Sequence, residues 1–273
     1  MATPLTVDPG KVRPPAVAGR FYPADPVALR QLIADLLAQV PTATGPAPKA
    51  LIAPHAGYLY SGPIAASAYA QFIPARDQIK RVVLFGPSHY VAVDGLATTS
   101  AEAFATPLGI VPVDVKAVRH VRLLPQVREL DEAHAQEHSL EVQLPFLQCV
   151  LGDFKLVPLA VGDATPEDIG QVLDALWDGP ETRFIVSSDL SHYYDFQTAR
   201  RLDRATAKAI EALRPGRIGE EGACGRMPIR GLLQAARRHG LSARTVDLRN
   251  SGDTAGPHDR VVGYGAFVFE EVR

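Results

Sequence analysis

The chain has 273 residues, with 28 Lys+Arg against 30 Asp+Glu, a formal charge of −2, and 47% hydrophobic residues. That composition excludes a mainly disordered chain, since apolar side chains are ample and net charge is small. It also lacks the basic excess of a dedicated nucleic-acid binder, and a chain this long buries enough surface to need no disulfide staples.

Cys149 and Cys224 lie far apart and make no disulfide framework. Reduced thiols are expected, each either buried or chemically employed. The N-terminal stretch has no apolar core of a signal peptide, and no apolar run approaches the ~20 residues that span a bilayer. A cytoplasmic protein with no membrane partner is expected.

Residues 1–15 read as an extended arm. From Pro26 to Gln39, Val27, Leu29, Leu32, Ile33, Leu36 and Leu37 form a helical stripe, and Pro41 to Pro48 is a loop. Compact apolar runs at Ala50–Ala53, Arg81–Phe85, Phe154–Ala160 and Arg183–Val186 have the length and character of strands buried on both faces. Helices are expected at Ile64–Phe72, His138–Leu151 and Pro166–Trp177, the last with Thr165 as N-cap and Pro166 in its first turn. Two further helices follow, at Thr198–Leu213 and Met227–His239, and then strand-like stretches at Ala243–Leu248 and Arg260–Phe269. Gly252–Gly256 and Gly263-Tyr264-Gly265 look like turns. Strand–helix alternation of this kind predicts an α/β fold, one domain over residues 1–273, with a mostly parallel central sheet flanked by helices.

In open α/β sheets, ligands bind beyond the carboxyl ends of the strands. Three of the expected strands are each followed by a short polar turn bearing a histidine: Pro54-His55-Ala56-Gly57, Gly86-Pro87-Ser88-His89, and Ser187-Ser188-Asp189-Leu190-Ser191-His192. In a parallel sheet these turns share one edge, so the side chains can converge. Imidazole is the commonest metal ligand and titrates near neutrality, so a metal site or an acid–base cluster is expected there. One such histidine alone is better explained by a helix cap or a loop hydrogen bond.

Cys224 sits in Gly222-Ala223-Cys224-Gly225-Arg226, where the glycines permit close backbone approach and a following helix start or a bound metal would lower the thiol pKa. A small buried hydrophobe fits the same residue equally well. Cys149, flanked by Leu147, Val150 and Leu151, reads as core. Glu137-His138-Ser139-Leu140-Glu141 opens a helix, with His138 and Glu141 on one face and Glu141 favoured by the dipole. His134 and His138 have the spacing of a zinc pair, but the intervening residues are not those of HExxH, so no zincin site is expected. Asp189 either orients a histidine or caps a turn. No GxGxxG, Walker A, GxSxG or CxxC motif is present.

Taken together, Val12–Pro23, Ala53-Pro54-His55-Ala56-Gly57-Tyr58-Leu59-Tyr60-Ser61-Gly62, Gly86-Pro87-Ser88-His89, Glu137–Phe146, Ser187–Tyr193 and Cys224-Gly225 resemble the Memo family. Its prokaryotic members are called AmmeMemoRadiSam system protein B. The blocks run in order through nearly the whole chain. The resemblance implies a fold similar to the LigB-type class III extradiol dioxygenases, which open catechol rings with Fe(II) held by two histidines and a glutamate.

By that resemblance His55 and His89 are metal ligands, Cys224 takes the carboxylate's place as the third, and His138 and His192 are acid–base residues with Asp189 beside them. The resemblance further implies Fe(II), with Cu or Zn as alternatives because thiolate softens the site. It implies either an Fe(II)-dependent oxidoreductase acting on a small aromatic or phenolic substrate, or a non-catalytic metal-binding, accessory or peptide-binding protein. AMMECR-type and radical-SAM proteins are the implied partners.

Overall fold

Apolar runs without polar alternation must be covered on both faces, and the four runs in this sequence become the centre of a sheet with helices on both sides. The computed structural model describes residues 8–41 and 43–271, so residues 1–7 of the expected arm lie outside it. In chain order the elements are β1 (Val12–Arg13), α1 (Pro26–Ala38), β2 (Ala50–Ala53), α2 (Tyr58–Tyr69), β3 (Arg81–Pro87), β4 (Leu96–Thr98), β5 (Ala103–Thr106) and β6 (Gly109–Pro112). Then come α3 (Val115–Val121), β7 (Val127–Glu129), α4 (Glu132–Ala135), α5 (His138–Glu141), α6 (Leu144–Val150), β8 (Lys155–Val161), α7 (Pro166–Ala175) and β9 (Thr182–Ser187). The last are β10 (His192–Tyr194), α8 (Phe196–Glu211), α9 (Arg226–Arg238), β11 (Leu241–Asn250), α10 (Ser251–Thr254) and β12 (Val261–Glu271).

Strands β2, β9, β3 and β8 lie side by side and parallel. Antiparallel β12 flanks β2 and carries β10 and β11, while β4 and β7 extend the far edge, giving nine strands. A smaller sheet joins β1, β5 and β6. The arm therefore remains extended only in part: Pro9–Lys11 form a 3-10 turn before β1 pairs with β5. The buried apolar side chains form one continuous core. Ala53 pairs with Ser187 and Phe85 with Val186, so β2, β9 and β3 end level with one another. This alignment brings the three histidine-bearing turns to one edge.

The expected cap forms, with Thr165 and Asp168 making a capping box at α7; Asp25 in addition caps α1. Three expectations need correction, and one stretch carried none. The single helix at His138–Leu151 is two, because Pro145 lacks an N–H and its ring would clash with the carbonyl of Glu141 in a continuous helix. Helix α2 starts at Tyr58, six residues ahead of the expected Ile64, with Pro63 inside it. The short strands and α3 between residues 96 and 129 carry no periodic signal long enough to predict. Gly263-Tyr264-Gly265 lies inside β12, where a Cβ on Gly263 would meet Asp203 Oδ2 at 2.1 Å; close packing, not a turn, demands the glycine.

Beneath the sheet edge runs a polar clamp. Glu137, Ser139, Glu141 and Gln143 are all at most 2% exposed. Glu141 accepts from the Arg13 guanidinium, from the amides of Ala16 and Val17 at 2.7 and 3.0 Å, and from the Tyr22 hydroxyl at 2.5 Å. Arg13 also donates to the carbonyls of His134 and Glu137 at 3.0 and 2.8 Å. Gln143 donates to Pro54 O at 2.9 Å and Ser187 Oγ at 2.7 Å, and accepts from the Tyr69 hydroxyl at 2.7 Å. Ser139 donates to Pro87 O at 2.9 Å. Gly86 permits this approach, since a Cβ there would lie 2.6 Å from Ser139 Oγ.

Leaving Arg13 buried without its carboxylate is expected to be costly. Glu141→Ala should lower the unfolding free energy by about 3–5 kcal/mol in a urea titration. It should also speed amide exchange at Ala16 and Val17, and an unaltered midpoint would refute the tie.

His134 is buried, and its Nε2 donates to Ala97 O at 3.1 Å. Burial brings its pKa from 6.5 down to about 4. The unfolded chain therefore takes up this proton first, so stability is lost as pH falls from about 6.5 to about 4. His134→Gln should flatten the pH dependence of the melting temperature in that window.

Candidate metal centre

Ring centroids of His55 and His89 lie 5.2 Å apart, those of His89 and His138 4.7 Å, and those of His55 and His138 5.5 Å. One ring nitrogen from each falls within 4.8 Å of the others. His55 and His89 come from the turns after β2 and β3; His138 comes from the first residue of α5. The group could hold a metal ion; two of its members come from the expected turns, but the third is His138, and neither His192 of the third turn nor Cys224 is part of it.

Hydrogen bonding sets which nitrogen each ring offers. Ser187 Oγ gives its one proton to Ser139 O at 2.6 Å and accepts from Gln143 Nε2. Its contact with His55 Nδ1 at 2.9 Å must therefore have the imidazole as donor. His89 Nδ1 lies 2.9 Å from Glu137 Oε1, while the other carboxylate oxygen accepts the His89 amide at 2.6 Å. A ring donating Nδ1–H to a fixed acceptor keeps its Nε2 lone pair for an ion, the usual arrangement behind metal-binding histidines. Glu137 also accepts the Ser139 amide at 2.8 Å. Burial, the largest single influence, pushes its pKa up, but the bonds and charge from His89 together with the Ser139 amide bring it down to about 2.

Burial, and then the charge of a neighbouring imidazole, lowers His55 to about 3 and His138 to about 4. Both rings are neutral at neutral pH, with lone pairs available. His138 Nδ1 lies 3.5 Å from both the Tyr90 hydroxyl and Glu137 Oε1, and Phe21 packs against its ring at 4.8 Å.

Cys224 Sγ lies 3.3 Å from His55 Nε2, 3.6 Å from Asp189 O and 3.8 Å from Ser188 Oγ. Gly225 makes this possible, because a Cβ there would meet Ser188 Cβ at 2.7 Å. Proximity to the start of α9 does not lower the thiol pKa. Burial, followed by the Asp189 charge, pushes it up to about 12. Asp189 is buried and accepts the His55 amide at 2.8 Å, so it fastens the turn backbone rather than orienting a ring. Burial raises its pKa against the opposing effect of that amide.

His192, on β10, lines a cavity of about 660 Å³ together with His55, His89, His138, Asp189 and Cys224. All six residues singled out from the sequence thus border one space. The structure further places His138 in the imidazole group beside the sulfur. His134 stays apart, held to Ala97 O with its ring edge-on to Phe104, and Cys149 is half-buried with its thiol pKa raised by burial. The sequence reading assigned no site role to Glu137, Ser187 or Tyr90. A carboxylate immediately before His138 was the one signal that pointed to Glu137.

An α/β protein with imidazoles and a thiol gathered where its parallel strands end falls in the class that binds ligands at the carboxyl edge of the sheet. The sequence profile of the Memo-like protein family matches residues 13–268. A MEMO1 family protein of Aquifex aeolicus (strain VF5) is 35% identical over 271 residues, covering 95% of this chain and 99% of its own. MEMO1 family proteins of Methanopyrus kandleri and Aeropyrum pernix are 36% and 37% identical, each covering 94% of this chain and 98% and 99% of theirs. The chain belongs to the Memo family.

Glu137→Gln keeps the shape of the side chain but not the charge that holds His89. It should weaken metal affinity by about 10- to 100-fold with little change in far-ultraviolet circular dichroism. Competition against a chromophoric chelator measures this, and equal affinities would remove Glu137 from the centre.

Proposed function

We propose that this Memo-family protein binds a metal ion at His55 and His89, with Cys224 and His138 completing the donor set. The single observation carrying the proposal is that both rings spend Nδ1–H on an internal acceptor and keep Nε2 for the shared space. Fe(II) is the expected ion; a thiolate donor also suits Cu or Zn. When bound, a redox-active ion supplies oxygen chemistry and a redox-inert one supplies Lewis acidity.

The protein's own groups do the rest. Glu137 and Ser187 orient the rings, Asp189 fastens the His55 turn, and Phe21 and Tyr90 pack beside His138. His192, on the cavity wall, is positioned to exchange a proton with a ligand hydroxyl.

Metal content of the purified protein tests the proposal. It should fall to background in His55→Ala and His89→Ala and drop sharply in Cys224→Ser. A thiol with a pKa near 12 must lose its proton on becoming a ligand, so loading should release about one proton per ion, and none from this source in Cys224→Ser. Calorimetry in buffers of different ionisation enthalpy reads that proton. Undiminished metal in every variant would end the proposal.

An Fe(II)-dependent oxygenase acting on a phenolic substrate is the finer reading. The open cavity beside the imidazoles favours it. Iron-loaded protein should consume oxygen with some member of a catechol panel, and His192→Ala should lower the rate by about 100-fold or more. No consumption with any member would leave metal binding without catalysis.

A further inference from the structure

Away from the imidazoles, the cavity is built from aromatic faces and carboxylates. Tyr60, Tyr193 and Tyr194 line it together with Glu220 and Glu221, and no Lys or Arg lies among its lining residues. Tyr60 and Tyr193 are 38% and 62% exposed, so their rings stand open at the mouth. Tyr193 is held with φ at +66° where β10 bulges against β12. Few non-glycine residues adopt that conformation, and it fixes where this ring is carried. The ring already attracts a cation: the Arg260 guanidinium lies 4.5 Å from its centroid, although Arg260 does not line the cavity. Glu220 pairs with Arg226 at 3.2 Å and keeps 84% of its side chain exposed, leaving carboxylate oxygen open to a second partner.

We infer that the mouth of this cavity selects an organic cation: an ammonium-type group on a flat apolar body, held between the tyrosine faces and the Glu220–Glu221 carboxylates. An aromatic face attracts a cation through its quadrupole, and an adjacent carboxylate adds a charge of the correct sign. An anionic ligand meets the same carboxylates, and the basic side chain paired with one of them, Arg226, is taken up by Glu220 and does not line the cavity. The cationic end lies at the mouth, and the apolar body points toward the imidazole floor. The inference rests on taking the cavity as the substrate chamber of the proposed metal centre.

Three phenols of similar size separate the charge states: tyramine, 4-ethylphenol and 4-hydroxyphenylacetate. Each is titrated calorimetrically into the purified protein, with metal content determined on the same sample. Tyramine should bind about tenfold more tightly than 4-hydroxyphenylacetate, and the margin should shrink as salt is raised. The double variant Glu220→Gln/Glu221→Gln should lose most of that margin while its affinity for 4-ethylphenol stays the same. Tyr60→Leu, which keeps apolar bulk without the ring, should weaken tyramine more than 4-ethylphenol. Equal affinities, a tighter anion, no binding of any probe, or an undiminished margin in the double variant would overturn the inference. Full metal content alongside any of these results would leave the metal centre standing; absent metal would remove the centre instead.

Discussion

The site depends on one buried polar seam, Glu137 to Gln143. Its inward side chains reach the β3 turn through Glu137 and Ser139, the β2 and β9 turns through Gln143, and the N-terminal segment through Glu141. Buried carboxylates are expensive unless fully partnered. Here Glu137 receives three N–H groups, and Glu141 receives a guanidinium, two amides and a hydroxyl. Such a network is satisfied in one arrangement of the surrounding turns and penalised in others. It therefore acts more to position the turns than to add net stability.

Opposing effects on the ionisable groups are resolved by burial. His55, His138 and Cys224 are all held in their neutral forms mainly by loss of water. Neutral imidazoles are ready ligands, but a neutral thiol must give up a proton first. Glu137 goes the other way because the bonds and charge it receives outweigh its burial. Two imidazoles thus keep free lone pairs while the thiol keeps its proton, a division set by the environment and not by residue type.

The cavity has two chemically distinct ends. Imidazoles and sulfur line one part of it, and tyrosines with two glutamates line the other. The N-terminal segment contributes Phe21 to the wall while Arg13, eight residues earlier, is locked to Glu141. One segment thus supplies both the anchor and part of the wall.

Much of this was legible in the sequence. The apolar runs ending at Ala53, Phe85 and Val186 declared strands buried on both faces, and the histidines just beyond them declared a shared edge, because parallel strands place successive turns on the same side. Pro166 after Thr165 announced the start of α7. Residues 96–129 could not be read, since strands of three or four residues carry no periodicity. Gly263 could not be read either, because its need is steric and comes from Asp203 on α8.

Other features were decided only in the folded chain. Glu141 as the anchor of the segment, Ser187 as the partner of His55, and His138 as a third imidazole all depend on contacts between residues far apart in the chain. Chemistry that depends on residue type and strand order is written locally, whereas distances, tautomers and pKa values arise only when folding brings distant side chains together and buries many of them.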